Sequence, residues 1–391
     1  MSLRIFVPSA AELLTDHRGH GEGLIAWKLL DGLAERGHSI VACAREVDVR
    51  GEPAFDVVEL GRGRLQSVEP LRQARIVARE FDRRGGVQAF DVAHWIFPPD
   101  FDEIAFAAAG ELPFVYGPHS LAWGQASARR ARRAGDFGRA VVRPVLRRRC
   151  RVSLGRARLL LHSVPEAAAE LPVDAGGRAR LLPFGVDPGP RQPAPLPAQP
   201  SILVVGRLEP SKGTALVLRA LVHLPSSVRL VVAGEGSEGQ SLERLAAAVG
   251  VADRVTWLGS VPHERVPGLI RDSSLLCSTA IGEPFGMTVL EAMAEGRAVV
   301  AIDAGGPRFL IDREGGELVW PASPERLAEV LAELVLDRDR LERMGRHNRA
   351  RVDREFAWDR VLDRLEELYA EALGSPPGAV SPGRLGGGVR R

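Results

Sequence analysis

The sequence predicts an α/β protein of two domains, each a parallel sheet with helices on both faces. Three observations carry this. Strand-like and helix-like segments alternate from residue 4 onward, and the alternation starts afresh near residue 201. Between the two series lies a proline-rich connection, Asp187-Pro188-Gly189-Pro190-Arg191-Gln192-Pro193-Ala194-Pro195-Leu196-Pro197. Alternation of this kind implies parallel strands joined by crossover helices. At 391 residues, the chain is long enough for two separate cores.

In the first series, residues 4–8 read as a strand, 24–36 as an amphipathic helix stopped at Gly37, and 39–44 as a second strand. Short strands follow at 91–95, 113–117 and 158–162. In the second series the strands are 201–205, 229–233 and 255–258, with helices at 215–223 and 242–249 between them. Strands at 275–278, 298–302 and 317–319 complete the second sheet. Helices are predicted at 326–333 and 338–354, and Phe356-Ala357-Trp358-Asp359 leads into a last helix over 361–372. Residues 374–391 are rich in Gly, Pro and Arg without apolar periodicity, so they read as a disordered tail.

Composition narrows the function classes. A hydrophobic content of 45% with 26% charged residues is ordinary for a soluble globular chain. A formal net charge of +2 offers no case for nucleic acid. Cys43, Cys150 and Cys277 are odd in number and far apart, which suggests neither a disulfide framework nor a zinc site. No signal-peptide pattern and no apolar run of bilayer length is present, so the cytoplasm is the expected compartment. The run from Arg129 to Arg151 holds ten arginines and could touch anionic lipid or an anionic acceptor; a solvated helical face explains it more simply. Only two of the 52 basic residues are lysines, Lys28 and Lys212. A lysine in so arginine-rich a chain hints that an ammonium is needed there.

The most informative stretch is Gly282-Glu283-Pro284-Phe285-Gly286-Met287-Thr288-Val289-Leu290-Glu291-Ala292-Met293-Ala294-Glu295-Gly296. Glu283 and Glu291 bracket a glycine turn that runs into an apolar helix start. The amides of Gly286, Met287 and Thr288 fall where helix N–H groups lack an intrahelical partner, and such an N-terminus attracts phosphate. A ligand with phosphate in the middle and hydroxyls at both ends suits this arrangement, and a nucleotide sugar is one. Upstream, Gly206-Arg207-Leu208-Glu209-Pro210-Ser211-Lys212-Gly213 follows the first strand of the second series and sets two cations at a strand end. Gly234-Glu235-Gly236-Ser237-Glu238-Gly239 formally matches a dinucleotide fingerprint. It follows the second strand of its domain, however, and the next strand ends in Gly259 where a nicotinamide-binding domain would place an acid.

These segments resemble the retaining glycosyltransferases of GT-B fold, family 4, also called glycosyl transferases group 1. The resemblance runs from Arg4 to about Ala372 and is strongest from Val204 to Gly306. It implies an N-terminal acceptor domain over 1–186, a nucleotide-sugar domain over 187–356 and a helix over 357–373 that crosses back to the first domain. Arg207 and Lys212 would grip the donor diphosphate, with His119, Arg207, Lys212 and Glu283 as the catalytic set. Gly234, Gly236, Ser260, Val261, Phe285, Gly286, Met287, Thr288 and Glu291 would line the rest of the donor site, with Glu291 on the ribose. The loop Arg18-Gly19-His20-Gly21-Glu22-Gly23 resembles the family's glycine-rich loop. It would put Gly21 against the donor and Gly19, His20 and Glu22 against the acceptor.

The chain departs from the family pattern at Phe184, where Asn is usual, and at Gly305-Gly306-Pro307-Arg308, which lacks the usual acid. Asp337-Arg338-Asp339 spells a metal motif of a different fold, and no metal is expected there. No cofactor is implied beyond the nucleotide-sugar co-substrate, a UDP- or GDP-sugar for example, and the acceptor is an unidentified hydroxyl compound. Three other readings stay open: a sugar-nucleotide epimerase or coupling enzyme of the same fold, a glycosidase using Glu283 and Glu291 as paired carboxylates, and a non-catalytic nucleotide-sugar-binding protein.

Overall fold

A computed structural model describes residues 2–17, 21–62, 69–97, 112–121, 152, 154–171 and 173–374. The 129–151 arginine run (Cys150 within it), Gly19, His20 and the tail beyond residue 374 lie outside the described residues.

The first sheet has seven strands and the second has six, all parallel. In the first domain the strands are β1 (Arg4–Val7), β3 (Ser39–Ala44), β5 (Asp56–Glu59), β6 (Val92–Trp95), β7 (Phe114–His119), β8 (Leu159–His162) and β9 (Ala179–Leu181). They lie in the order β5-β3-β1-β6-β7-β8-β9. Two short strands, β2 (Leu13–Thr15) and β4 (Glu46–Asp48), pair separately beside this sheet. The second domain holds β10 (Ser201–Val205), β11 (Arg229–Ala233), β12 (Val255–Trp257), β13 (Leu275–Ser278), β14 (Ala298–Ile302) and β15 (Gly316–Val319), ordered β12-β11-β10-β13-β14-β15. Helices cover both faces, so the central strands are buried throughout; all five residues of β14 are inaccessible. That explains why these strands read as continuous apolar runs without alternation.

In both sheets the strand order reverses beside the first strand, between β1 and β6 and between β10 and β13. A crevice opens beyond the carboxyl ends of the strands at such a reversal, and ligands bind there. The loops leaving β10 and β13 are those that carry Lys212 and Glu283.

The chain passes between domains at two adjacent points. Val186 pairs with Ala357 in a parallel bridge, and its N–H donates to the Phe356 carbonyl at 2.9 Å. The last helix, Trp358–Ala372, then lies on the first-domain helix Gly21–Glu35. Arg36 donates to Asp363 at 2.8 Å and to Glu366 at 2.7 Å, while buried His94 meets the Tyr369 hydroxyl at 2.7 Å. Burial pushes His94 down to about 4, so its ring is neutral at pH 7 and bridges Tyr369 to the Gly117 carbonyl. Lys28, one of the two lysines, is spent at this crossing, 2.9 Å from Asp187.

Several expectations need correcting. The first helix begins at Gly21 rather than residue 24, and β2 comes between β1 and that helix. Gly21 and Glu22 therefore sit in its first turn and not in an open loop. Gly23 is required for another reason: a Cβ there would stand 1.9 Å from the Leu13 carbonyl oxygen of β2. The short strands β2, β4, β5 and β9 were not expected from the sequence. The expected helix over 338–354 ends at Arg351 and passes into a π-helical turn, Val352–Phe356.

Candidate active site at the second-domain switch point

The turn after β10 is held from two sides. The Leu208 N–H donates to the Glu235 carbonyl at 2.9 Å, and the Glu238 N–H donates to the Leu208 carbonyl at 2.9 Å. The Gly-x-Gly turn after β11 is thus packed directly on the Arg207 turn. Gly234 has φ +144°, and a Cβ there would lie 1.9 Å from the Gly206 carbonyl oxygen; at Gly236 it would lie 2.4 Å from that of Leu208. These glycines are explained by backbone packing that shapes the site. The turn ends in a short 3₁₀ helix, Pro210–Lys212, and the Thr279 hydroxyl donates to the Lys212 carbonyl at 3.0 Å. This fastens the β10 loop to the β13 loop.

Across that junction the Lys212 ammonium stands 2.7 Å from a Glu283 carboxylate oxygen. The two residues are 71 positions apart in sequence, and both side chains are largely buried, at 21% and 15% exposure. Arg207 is 60% exposed and pairs with Glu209 at 2.6 Å. Glu209 carried no role in the sequence reading; an acid two residues from the arginine of the motif was the only available signal.

Beyond Glu283 the chain turns through Gly286, whose φ of +98° only glycine takes easily, into the helix Met287–Ala294. Its N-cap residue, Gly286, supplies no side-chain cap. Its first-turn amides, with the positive end of the helix dipole, are suited to an anion. The Gly306 N–H donates to the Glu283 carbonyl at 2.7 Å, so the Gly305-Gly306 pair braces the loop from β14 without the usual acid. Phe285 differs from its expected role. Its side chain is 2% exposed and packs on Phe184 with ring centroids 4.6 Å apart, and Phe184 in turn meets Phe97 at 5.8 Å. Any donor contact from Phe285 falls to its backbone. Phe184, in place of Asn, completes an apolar bridge from the first domain to the site loop.

Glu291 lies one helical turn on, half-buried, with His263 Nε2 3.7 Å from its carboxylate. Burial pushes its carboxyl up to about 8. A carboxyl raised in the folded state supports folding most when protonated. Its contribution is complete below the ordinary value of 4.5 and fades as pH climbs towards 8. Glu291→Gln cannot ionise, so its melting temperature should gain on that of the wild type steadily from pH 5 to pH 8. A thermal series checks this, and parallel profiles would mean that Glu291 is solvated. The turn before His263 holds exposed Ser260 and half-buried Val261, and the Gly259 carbonyl accepts from Gly234 N–H at 2.7 Å.

In the first domain His119 ends β7 at the carboxyl edge of the sheet, with its carbonyl accepting from Ser163 N–H at 2.8 Å. Burial lowers its pKa, opposed by Glu170, which favours a neutral ring at pH 7. Glu22 is exposed at the start of the first helix, next to Gly21. Arg50 reaches Glu264 of the second domain at 3.4 Å, so the cleft is bridged on this side. Asp337 caps the helix Arg338–Arg351 by accepting from Arg340 N–H at 2.9 Å, which accounts for one acid of the Asp-x-Asp pattern.

Residues 190–351 match the family model for glycosyl transferases group 1. Residues 190–351 are a group 1 glycosyl transferase domain. The chain is 31% identical over 301 residues to a D-inositol 3-phosphate glycosyltransferase of Nocardia farcinica, covering 70% of this chain and 65% of that protein. It is 32% identical over 209 residues to a GDP-mannose-dependent alpha-(1-6)-phosphatidylinositol monomannoside mannosyltransferase of Mycobacterium tuberculosis, covering 48% of this chain and 54% of the relative. The matches thus span about two thirds or less of these curated relatives. Among solved structures, a sucrose-phosphate synthase from Thermosynechococcus elongatus superposes with a TM-score of 0.74 at 21% identity, covering 96% of this chain and all of that one. Anabaena HepE in complex with UDP gives 0.71 at 18% identity, covering 94% and 100%. At these identities the likeness establishes the fold, and the fold is GT-B.

Proposed function

We propose that this chain is a retaining, metal-independent glycosyltransferase moving a sugar from a nucleotide-sugar donor to an acceptor hydroxyl. The observation that carries the reading is the Lys212–Glu283 contact beside an uncapped helix start. A cation, a row of amides and a carboxylate converge where a diphosphate and its sugar would meet. The group 1 domain and the names of the relatives support the same chemistry.

In this mechanism the acceptor hydroxyl attacks the anomeric carbon on the face from which the diphosphate leaves. The bond to the β-phosphate oxygen breaks, its electron pair stays on that oxygen, and the oxygen takes the hydroxyl proton. Arg207, Lys212 and the amides at Gly286–Thr288 stabilise the growing negative charge, which is worth most in a site that excludes water. Glu283 holds sugar hydroxyls and offsets positive charge on the ring. Glu291 holds the ribose hydroxyls. A paired-carboxylate hydrolase has no use for the cations or the helix amides.

The test is incubation with labelled UDP- and GDP-sugars and a panel of hydroxyl acceptors, following transfer and hydrolysis separately. Transfer should persist in excess EDTA, because the protein's own cations neutralise the diphosphate. Loss of transfer in chelator with rescue by magnesium or manganese would overturn the metal-independent reading. Absence of any nucleotide-sugar binding would overturn the whole.

A further inference from the structure

Resting on that reading, we propose that Glu209, paired with Arg207, weakens the grip on the product more than on the donor, and so promotes product release. The two cations of the turn are both paired, and their partners differ in kind. Lys212 holds Glu283, which has its own task on the sugar once phosphate takes the lysine. Arg207 holds Glu209 at 2.6 Å, and Glu209 has no place in the transfer chemistry.

The backbone of Glu209 is fixed beside Arg207. Its N–H donates to the Arg207 carbonyl at 3.0 Å, and the turn is pinned at Leu208 by Glu235 and Glu238. A guanidinium carries several donors, so Arg207 can keep Glu209 on one nitrogen while it meets phosphate with the others. A carboxylate held by Arg207 in this way lies beside any diphosphate that the same guanidinium grips, and repels it.

That repulsion discriminates by charge. In the donor the β-phosphate is esterified to the sugar, and the diphosphate carries two charges. Transfer breaks that ester and exposes a terminal phosphate whose second ionisation lies near pH 6, so the product approaches three charges above neutrality. A fixed carboxylate opposes the third charge only in the product. Because Arg207 is exposed, the effect is moderate and sensitive to salt.

The experiment is calorimetric titration of wild type and Glu209→Gln with UDP and GDP, and with UDP-glucose and GDP-mannose as their esterified counterparts, at pH 7.5 and pH 5.5. At pH 7.5 the variant should bind the better of the two free diphosphates roughly threefold or more tightly, the scale of one exposed charge pair. The gain should be smaller for the esterified compound and should shrink at pH 5.5 and in high salt. Equal gains for both ligands, no gain, or a gain independent of pH would overturn the role of Glu209. Weaker binding by the variant would also overturn it, since Glu209 would then be orienting Arg207 for phosphate. Wild type that binds none of the four compounds would overturn the proposed function and this inference together. Glu209→Ala, with melting temperatures for both variants, guards against a loss of fold being read as a change in affinity.

Discussion

Lys212→Ala should lower turnover by hundreds of times while the protein stays folded. In the proposed mechanism the ammonium contact is worth more to the departing diphosphate than to the bound donor, which places its removal on the order of 2–4 kcal/mol of barrier. The structure adds a second consequence. Removing the lysine leaves Glu283, 15% exposed, without the cation 2.7 Å away. An unpaired, partly buried carboxylate costs stability, so the variant should also melt earlier. Lys212→Ala combined with Glu283→Ala should recover part of the melting temperature and none of the turnover. Steady-state kinetics and thermal melts on the two proteins check both halves. Near-normal turnover in a folded Lys212→Ala protein would remove this lysine from the mechanism.

The two glutamates of the helix loop should fail in different ways. Glu291→Ala should weaken binding of the nucleoside diphosphate itself, because that ligand carries the ribose. Glu283→Ala should leave that affinity nearly intact and still abolish most transfer, because in the proposed mechanism its contacts are to the sugar as the ring gains positive charge. Removing the Glu283 charge also takes away one group that competes with phosphate for Lys212, so a small gain in nucleoside diphosphate affinity fits the same picture. Calorimetric titration of both variants, beside their transfer rates, decides the matter. Equal losses of affinity would end this division of labour.

Much of this site was readable from short, local patterns. The helix start at Gly286 is written in a glycine followed by apolar residues, and the uncapped turn is what that pattern implies. The turn 206–213 announces itself by glycines at both ends, two cations and a proline. Alternating strands and helices, with one proline-rich break, were enough for two parallel sheets. The GT-B arrangement came from resemblance and agrees with the fold of the chain.

What escaped the sequence depends on distance along the chain. Nothing local says that Phe184 should bridge Phe97 to Phe285, so Phe285 read as a ligand contact when its side chain is core. Nothing local says that Gly234 and Gly236 pack on the backbone of residues 206–208. A glycine that admits a neighbouring carbonyl and one that admits a phosphate look alike in sequence.

The sequence by itself determined the two-domain α/β architecture, the motif turns and the residue types on which the proposed diphosphate site rests, because each is encoded within a dozen neighbouring residues. Only the tertiary structure decided that Lys212 meets Glu283 and that burial pushes the Glu291 carboxyl up to about 8. The physical reason is the strand order. Placing β13 beside β10 brings together loops 71 residues apart. Charge pairing and desolvation follow from that adjacency, which no local pattern records.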